Sequence, residues 1–338
     1  MVPSAFSLVA HRLLVALPTL LVVSMLVFVV LRLIPADPVA MSLPPNATQE
    51  DVAEARAALG LDKPIPEQYA IWLGHIARGE LGTSIQFRRK VSDLILEALP
   101  TTLELVAVGL VLGVAFGLGA GLLMFAWRGT AGEQVADLGS TVVMSIPEFL
   151  WAILLILGLG VGVRLFPFIG RIDSQMTVPV VTGFLLIDTL IAGEPAAFVS
   201  ALAHLALPAT ALALALAPLI MRVLRSSLFD TYVEEYITLA RLRGLSERRI
   251  LLRHALKNAA LPTVSLIGVQ AGFMFGGTLL VEVIYTFPGI GNLMVQALRN
   301  HDLPLIQGIA LVYCVIVLVI NTAVELAYLG LNPKLRRA

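Results

Sequence analysis

The segment that decides the architecture of this chain is residues 231–262, TYVEEYITLARLRGLSERRILLRHALKNAALP. Arginine and lysine outnumber glutamate in it, and a long apolar segment lies on each side. Because its flanks are membrane-like, this charged segment must be a loop in water. Its basic excess favours the cytoplasmic face of a membrane, since cytoplasmic loops are enriched in lysine and arginine.

Gly244 separates two parts of this loop, each with apolar and aromatic residues at helical spacing. Glycine takes positive φ angles at little cost and so can turn one short helix into the next. Ser246, with Glu247 behind it, suits the N-cap of the second helix. The sequence therefore predicts a helix, a glycine turn and a second helix across the mouth of a membrane domain.

The composition is that of a membrane protein. The 338 residues are 58% hydrophobic and 14% charged, with a mean hydropathy of +0.90, whereas soluble domains carry about 25% charged residues. The formal net charge is zero, so bulk charge gives no sign of a nucleic-acid partner, and we expect none. Cys314 is the single cysteine, which excludes an intrachain disulfide and favours a packing role.

Long apolar runs predict about six transmembrane helices in an all-α polytopic membrane protein, at 13–31, 101–127, 138–163, 196–221, 258–281 and from 303 to 324. A shorter run, 178–191, is interrupted by proline, glycine and aspartate. We interpret it as a re-entrant or interfacial helix on the outer face, although the sequence leaves open whether it crosses. Six crossings place both termini and the basic loop on the cytoplasmic side.

This reading divides the chain into four parts. Residues 1–34 hold the N-terminal segment and first transmembrane helix, and 35–98 form a small extracytoplasmic cap in which acids outnumber bases. Residues 99–330 form a transmembrane domain of five helices that includes the cytoplasmic loop 223–258. The basic residues 331–338 form a cytoplasmic tail. A turn-rich outer loop is expected at 282–302.

Glu148 follows Pro147 inside the predicted third span. An acid within a span usually faces a cavity or a partner rather than lipid, so Glu148 is a candidate for lining a transport path. The alternative is that it bonds to neighbouring backbone at the proline kink. The residues alone do not separate these two roles.

A stripe of glycines recurs every four residues in the second span, at Gly109, Gly113, Gly117 and Gly121. Small residues at this spacing let helix backbones approach closely in lipid. Packing inside the bundle is the favoured role, and a subunit interface is the alternative.

Motifs for catalysis are absent from the sequence. It contains no GxxxxGK[ST] phosphate loop, no HExxH, no GxSxG and no Cys/His cluster at zinc spacing. We therefore expect neither an enzyme nor a cofactor or metal site in this chain. The scattered histidines, including His75, His204 and His301, are expected to be separate surface or helix-end residues.

The residues T-L-A-R-L-R-G-L-S at 238–246, followed by R-H-A-L-K-N-A-A-L-P at 253–262, resemble the cytoplasmic coupling loop of ABC-transporter permeases. More narrowly, they resemble the dipeptide/oligopeptide/nickel importer branch. R-L-L-V-A-L-P-T-L at 12–20 and E-L-G-T-S at 80–84 are similar to the same branch. In the broad family an acid and two alanines precede the glycine, but Thr238, Leu239 and Ala240 stand here, so the acid is missing.

The resemblance implies the type I ABC importer permease fold and a permease subunit without an ATP site. It implies a second homologous permease subunit, two cytoplasmic ATPases that bind ATP and Mg, and an extracytoplasmic solute-binding protein. The setting would be the lipid of a bacterial or archaeal cell membrane. A peptide is the expected substrate, while a dipeptide, an oligopeptide, glutathione, a nickel chelate or an oligosaccharide all fit the pattern.

The resemblance also marks the residues that would couple this chain to the ATPases. They are Thr238, Ala240, Arg241, Gly244, Leu245, Ser246, Arg248, Arg253, His254 and Asn258. Arg248 and His254 are six residues apart and should lie on different sides of the second helix. The rival function is a secondary transporter with no ATPase partner, which would show several buried acids or broken helices at the midplane and internal repeats. Only Glu148 fits that description loosely.

Overall fold

The chain is mostly helical in the part that the computed structural model describes, residues 5–33, 48, 50 and 62–331. The only strand-like pairing among these residues is an isolated bridge between Thr83 and Lys90. The helices are α1 (Ala5–Leu33), α2 (Ile65–Ala77), α3 (Val91–Ala126), α4 (Ala131–Ser145), α5 (Glu148–Gly162), α6 (Leu185–Ala192), α7 (Pro195–Tyr232), α8 (Glu235–Leu242), α9 (Glu247–Tyr285), α10 (Ile290–Arg299) and α11 (Leu303–Leu331).

Four of the described helices are long and apolar enough to cross a membrane: α3, α7, α9 and the part of α11 at Leu303–Val324. The count becomes five if α4 and α5, which meet at a bend of 99°, form one span. The apolar part of α1, Leu17–Leu33, is shorter. The all-α polytopic membrane fold is confirmed, and the count of six crossings stays a prediction.

Helices α3 and α7 form the centre of the bundle, and the glycine stripe is where they touch. A Cβ added at Gly117 would lie 2.6 Å from the Cβ of Ile220, and one at Gly113 would lie 2.8 Å from Leu216 Cδ2. The stripe therefore lets two long helices approach closely within one chain. This agrees with the favoured interpretation of the stripe as packing inside the bundle.

Several boundaries differ from the predicted ones. Helix α3 begins at Val91, inside the segment assigned to the cap, and α4 begins at Ala131, before the predicted start of the third span. The predicted third span, 138–163, is interrupted at its expected proline kink, where Ile146 and Pro147 leave helical geometry and α5 leaves at a steep angle. Proline removes a backbone donor and clashes with the preceding turn, which accounts for the break.

Two segments that were predicted to lie on the outer face each contain a short helix. Helix α6 has eight residues, about 12 Å at 1.5 Å per residue, which agrees with an interfacial or re-entrant helix rather than a crossing. The expected turn-rich loop at 282–302 is wrong for most of its length, since α9 extends to Tyr285 and α10 occupies Ile290–Arg299. Helix α10 is strongly amphipathic and buries Ile290, Leu293 and Ala297, so packing onto the bundle makes it helical.

Part of the predicted cap packs on α1. The ring of Phe28 lies 5.4 Å from that of Tyr69 and 5.6 Å from that of Trp72. Arg32 Nε donates to Gln68 Oε1 at 2.7 Å. Within the cap, the sequence predicts a short helix over 48–59, and most of these residues lie outside the described ones, as does nearly all of the tail at 331–338.

Candidate functional site

The predicted two-helix loop is present between α7 and the buried part of α9. Gly244 has a φ of +75° and stands between α8 and the start of α9. Its amide donates to the carbonyl of Arg241 at 2.9 Å, and the amide of Leu245 donates to that of Ala240 at 3.3 Å. These bonds end α8 in the manner of a glycine C-cap, so the positive φ predicted for Gly244 is confirmed.

Ser246 occupies the N-cap position of α9, as predicted, but its side chain does not cap the helix. Its backbone is extended and its carbonyl accepts from the amide of Ile250 at 2.9 Å. No side-chain hydrogen bond to the first turn is formed. Ser246 therefore stands at the predicted N-cap position, but the hydrogen bond expected from its hydroxyl is absent.

The apolar side of the loop rests on the ends of α3 and α7. Ile237, Ile250 and Ala255 are fully buried against Phe125 and Leu228. Helix packing in this cluster ties both arms of the loop to the central helix pair. A displacement of the loop should therefore be transmitted to α3 and α7.

Aromatic and polar contacts hold the two arms of the loop together. Arg241 Nε donates to Glu247 Oε1 at 2.7 Å across the glycine turn, and this hydrogen bond raises the pKa of Arg241 above its ordinary value. Asn258 Nδ2 donates to the hydroxyl of Tyr236 at 2.8 Å. The loop is thus a closed unit with its own internal contacts.

The opposite side of the loop faces outward. Among the ten predicted coupling residues, Ala240 is buried and Leu245 and His254 are half-buried. The other seven are exposed: Thr238, Arg241, Gly244, Ser246, Arg248, Arg253 and Asn258. The exposed Arg248 and the half-buried His254 differ in environment, as their spacing suggested. The loop presents a charged, exposed surface that could bind a soluble partner.

Glu148 lies at the first residue of α5, at the bend, and is half-buried. Its carboxylate packs over Gly277 of α9, where an added Cβ would lie 2.9 Å from Oε1. No bond from it to the kink backbone occurs within the described residues. The bend is held instead by Trp151 Nε1, which donates to the Val143 carbonyl at 3.1 Å, and by the Tyr285 hydroxyl, which donates to Ala152 at 3.0 Å.

A set of buried acids lies at the other end of the bundle, where the sequence predicted no functional residue. Glu282 of α9 is fully buried; it accepts from the hydroxyl of Thr102 at 2.6 Å and from the amide of Asn292 at 3.0 Å. The same hydroxyl accepts from the amide of Ile290 at 2.8 Å. One carboxylate therefore joins α3, α9 and the first turn of α10.

Glycine makes room for this contact. A Cβ at Gly289 would lie 2.5 Å from Glu282 Cδ, and one at Gly291 would lie 2.6 Å from Leu279 Cα. The Tyr-Thr-Phe-Pro-Gly-Ile-Gly run at 285–291 was the available signal. It was interpreted as an exposed turn, whereas its glycines allow the close approach of α10 to the acid.

Two further buried acids fix the outer segments. Glu104 of α3 pairs with Arg171 at 2.7 Å and accepts from the amide of Leu186 at 2.7 Å. Asp302 accepts from the hydroxyl of Ser84 at 2.5 Å and from the amide of Gln86 at 3.1 Å. Both contacts hold loop segments onto the helix ends.

Asp188 of α6 closes the turn that precedes it. It accepts from the amide and hydroxyl of Thr182 at 2.8 and 2.7 Å and from the amide of Gly183 at 3.0 Å. Burial by itself would raise the pKa of Asp188, and these hydrogen bonds outweigh it, so the pKa lies below its ordinary value. The carboxylate is thus a structural acceptor.

Among the residues that the structure describes, no group of three or more His, Cys, Asp and Glu side chains is placed to hold a metal ion. The features that remain are helices able to cross a membrane, a charged loop on one end and a bent helix pair with an acid at the bend. These are the features of an integral membrane protein with an exposed, charged loop at one end of its bundle.

The comparisons with known proteins identify the family. Residues 109–337 match the family described as binding-protein-dependent transport system inner membrane component, and residues 5–106 match its N-terminal region. The chain belongs to this family: it is a multi-pass permease component of an ABC importer in the inner membrane and not itself an ATPase. The resemblance seen in the loop sequence is thereby confirmed.

Curated relatives cover almost the whole chain. The di/tripeptide transport system permease protein DppB of Pseudomonas aeruginosa is 36% identical over 98% of this chain and 98% of its own length. The dipeptide transport system permease protein DppB of Escherichia coli K12 is 35% identical over 97% and 98%. The glutathione transport system permease protein GsiC of Salmonella typhi is 32% identical over 97% and 98%.

The fold resembles that of a solved transporter. A chain of the methionine ABC transporter MetNI in an inward-facing conformation aligns with a TM-score of 0.54 at 16% identity, covering 71% of this chain and 96% of that one. At this identity the likeness shows the fold alone. It agrees with the expected ABC importer permease architecture.

Proposed function

We propose that this chain imports peptides, forming half of a translocation path with a second homologous permease subunit and coupling to ATPases through the loop 234–258. The coupling role rests on the difference between the two sides of this loop. Its apolar side is buried against Phe125 and Leu228, and its charged side is exposed. A soluble subunit that pushes on the exposed side would move the helices beneath it.

Peptide as the substrate rests on the relatives. Two relatives at 35–36% identity are named for dipeptide or di/tripeptide transport, and a third, at 32%, is named for glutathione, itself a peptide. All three relatives align with this chain over nearly the full length of both proteins. We propose that the bend at Glu148 lines the path, because a half-buried carboxylate without a hydrogen bond among the described residues can interact with a passing polar solute.

The orientation follows from charge. We infer that the basic loop and both termini face the cytoplasm, where two ATPase subunits hold ATP and Mg. The outer segments, 35–99 and 166–198, then face the extracytoplasmic side and receive the solute-binding protein. The buried acids support this docking role, because they fix parts of those segments in place.

The coupling role is tested by Gly244→Val. A β-branched residue cannot easily hold a φ of +75°, so it should shift the turn at a cost of about 1–2 kcal/mol. The matched control is Gly193→Val. Gly193 also has positive φ and, like Gly244, has no neighbour within 4 Å of an added Cβ, but it lies at the end of α6.

The measurements are ATPase retention on purification and ATP hydrolysis stimulated by loaded binding protein, in the reconstituted complex. Gly244→Val should insert normally yet lose ATPase association and stimulation. Gly193→Val should keep ATPase association, which is the readout to compare because Gly193 lies in the segment 166–198 proposed to receive the binding protein. Equal ATPase retention in both variants would contradict coupling through this loop. Peptide uptake without any ATPase would instead favour the secondary transporter.

A further inference from the structure

An apolar cavity of about 260 Å³ lies between α3, α4 and α7, in the half of the bundle nearest the loop. Its walls include Phe116, Leu123 and Trp127 of α3, Ala136 of α4, and Leu214 and Met221 of α7. Ser140 is the one hydroxyl side chain among its lining residues. The cavity is open to one side and suits a hydrocarbon chain better than a polar solute.

A cation stands at the edge of this cavity. Arg222 follows the lining residue Met221 and donates to the hydroxyl of Thr141 at 2.6 Å and, more weakly, to that of the lining residue Ser140 at 3.5 Å. Its Nε is buried and has no hydrogen-bond partner. Within the described parts of the chain, no carboxylate forms an ion pair with it.

The neighbouring Arg225, one turn further along α7, has the counter-charge that Arg222 lacks among the described residues. Arg225 forms an ion pair with Glu133 of α4, with two hydrogen bonds to the same carboxylate oxygen. The same pair of helices thus neutralises one arginine and leaves the other without a counter-charge. A guanidinium at membrane depth is costly unless it finds an anion or water.

We propose that this cavity binds an anionic phospholipid, with an acyl chain in the cavity and the phosphate on Arg222. Guanidinium groups bind phosphate through charge-assisted hydrogen bonds, and the side chain of Arg222 is only partly buried. Basic pockets between transmembrane helices bind anionic lipid headgroups. Trp127, 43% exposed at the end of α3, suits the level of the headgroups.

The surface around the cavity agrees with a lipid. On α4, Val135 is 70% exposed and Leu138 is 68% exposed, so this helix presents further apolar surface beyond the residues that line the cavity. A lipid in this place would bridge α4 to α3 and α7. Since α4 leads directly to the bend at Glu148, bound lipid would restrain the helix that positions this acid.

The test changes the cation and the cavity separately. Lipid retained by the full complex, purified in detergent, is measured by native mass spectrometry. The wild type should retain phosphatidylglycerol over phosphatidylcholine by roughly tenfold, the effect of one charge-assisted contact of about 1.4 kcal/mol. Arg222→Gln should remove most of this preference. Ala120→Phe, which fills the cavity from α3, should reduce retention of both lipids.

The matched control is Arg164→Gln, which removes an exposed arginine beyond the far end of α5 and should change nothing. The proposal is overturned if Arg222→Gln keeps the wild-type preference, or if Ala120→Phe retains lipid as the wild type does. It is also overturned if cysteines at Val135 or Leu138 cross-link to the second permease subunit in a complex that holds no lipid. Displacement of the lipid by millimolar inorganic phosphate would show that the acyl chain contributes nothing, and would overturn it as well.

Discussion

The two ends of the bundle handle charge in opposite ways. At the end away from the loop, which we propose to be the outer end, Glu282, Glu104 and Asp302 are buried and accept hydrogen bonds from other segments. At the loop end, Arg241, Arg248 and other charged residues of 234–258 are exposed. One end uses its charges to hold its own chain together, and the other leaves them available to a partner.

The difference has a physical cause. A buried carboxylate is costly unless hydrogen-bond donors replace the water that it loses, so each buried acid fixes several donors in place. An exposed ion pair is screened by water and contributes little. Removing one charge at the outer end should therefore lower the stability of the protein. Removing one charge at the loop end should leave stability nearly unchanged but impair function.

The largest effect is expected at Glu282. Glu282→Leu leaves the hydroxyl of Thr102 and the amide of Asn292 without an acceptor, which should destabilise the protein by about 3 kcal/mol or more. Thermal unfolding in detergent measures this. Glu97→Gln is the control, since Glu97 lies on α3 with a side chain 61% exposed and should change little. Equal losses in the two variants would remove the distinction between buried and exposed acids.

The next effect concerns the helix pair that joins the two ends. Gly117→Leu places a side chain where a Cβ alone would be 2.6 Å from Ile220 Cβ, and overpacking of this kind costs about 1–3 kcal/mol. Gly119→Leu, two residues on, points into open space and should be tolerated. The same thermal unfolding measurement applies. A tolerated Gly117→Leu would show that α3 and α7 can separate.

A smaller, local effect is expected at Asp188. Asp188→Asn removes the negative charge from the side chain that accepts three hydrogen bonds. This should lower the local stability of the turn at 182–188 by about 1–2 kcal/mol. Because the pKa of Asp188 is lowered from 3.8, its stabilising contribution is present above that pH and is lost as pH falls through the folded-state value.

Hydrogen exchange of amides 182–188 measures the effect of Asp188→Asn. The difference between wild type and variant should be full at neutral pH and shrink only below about pH 4. A difference that disappeared near neutral pH would mean that another group titrates in this turn.

The smallest effect is expected at the loop. Arg241→Gln breaks the exposed pair with Glu247 and should change stability by less than about 1 kcal/mol, with the difference vanishing at high salt. Thermal unfolding at low and high ionic strength measures it. A loss comparable to that of Glu282→Leu would show that the loop end depends on charge as strongly as the outer end does.

Local properties of the sequence determined the class of protein, most helix positions and the shape of the loop. Hydropathy is a property of each segment by itself, so α3, α7, α9 and α11 could be located from it. The turn at Gly244 was predictable because only glycine readily takes its φ angle. The glycine stripe of α3 could likewise be recognised as a helix-packing surface, though the helix that it contacts could not.

Tertiary structure alone decided the rest. Thr102 and Glu282 are 180 residues apart, and no local pattern marks them as partners, so the buried acids could not be recognised from the sequence. Helix α10 forms because its apolar side packs on the bundle, which overrides the turn signals of its glycines. The size of the bend at Pro147, 99°, and the cavity beside Arg222 also depend on where other helices lie. These features arise from contacts between distant segments, and such contacts exist only once the chain has folded.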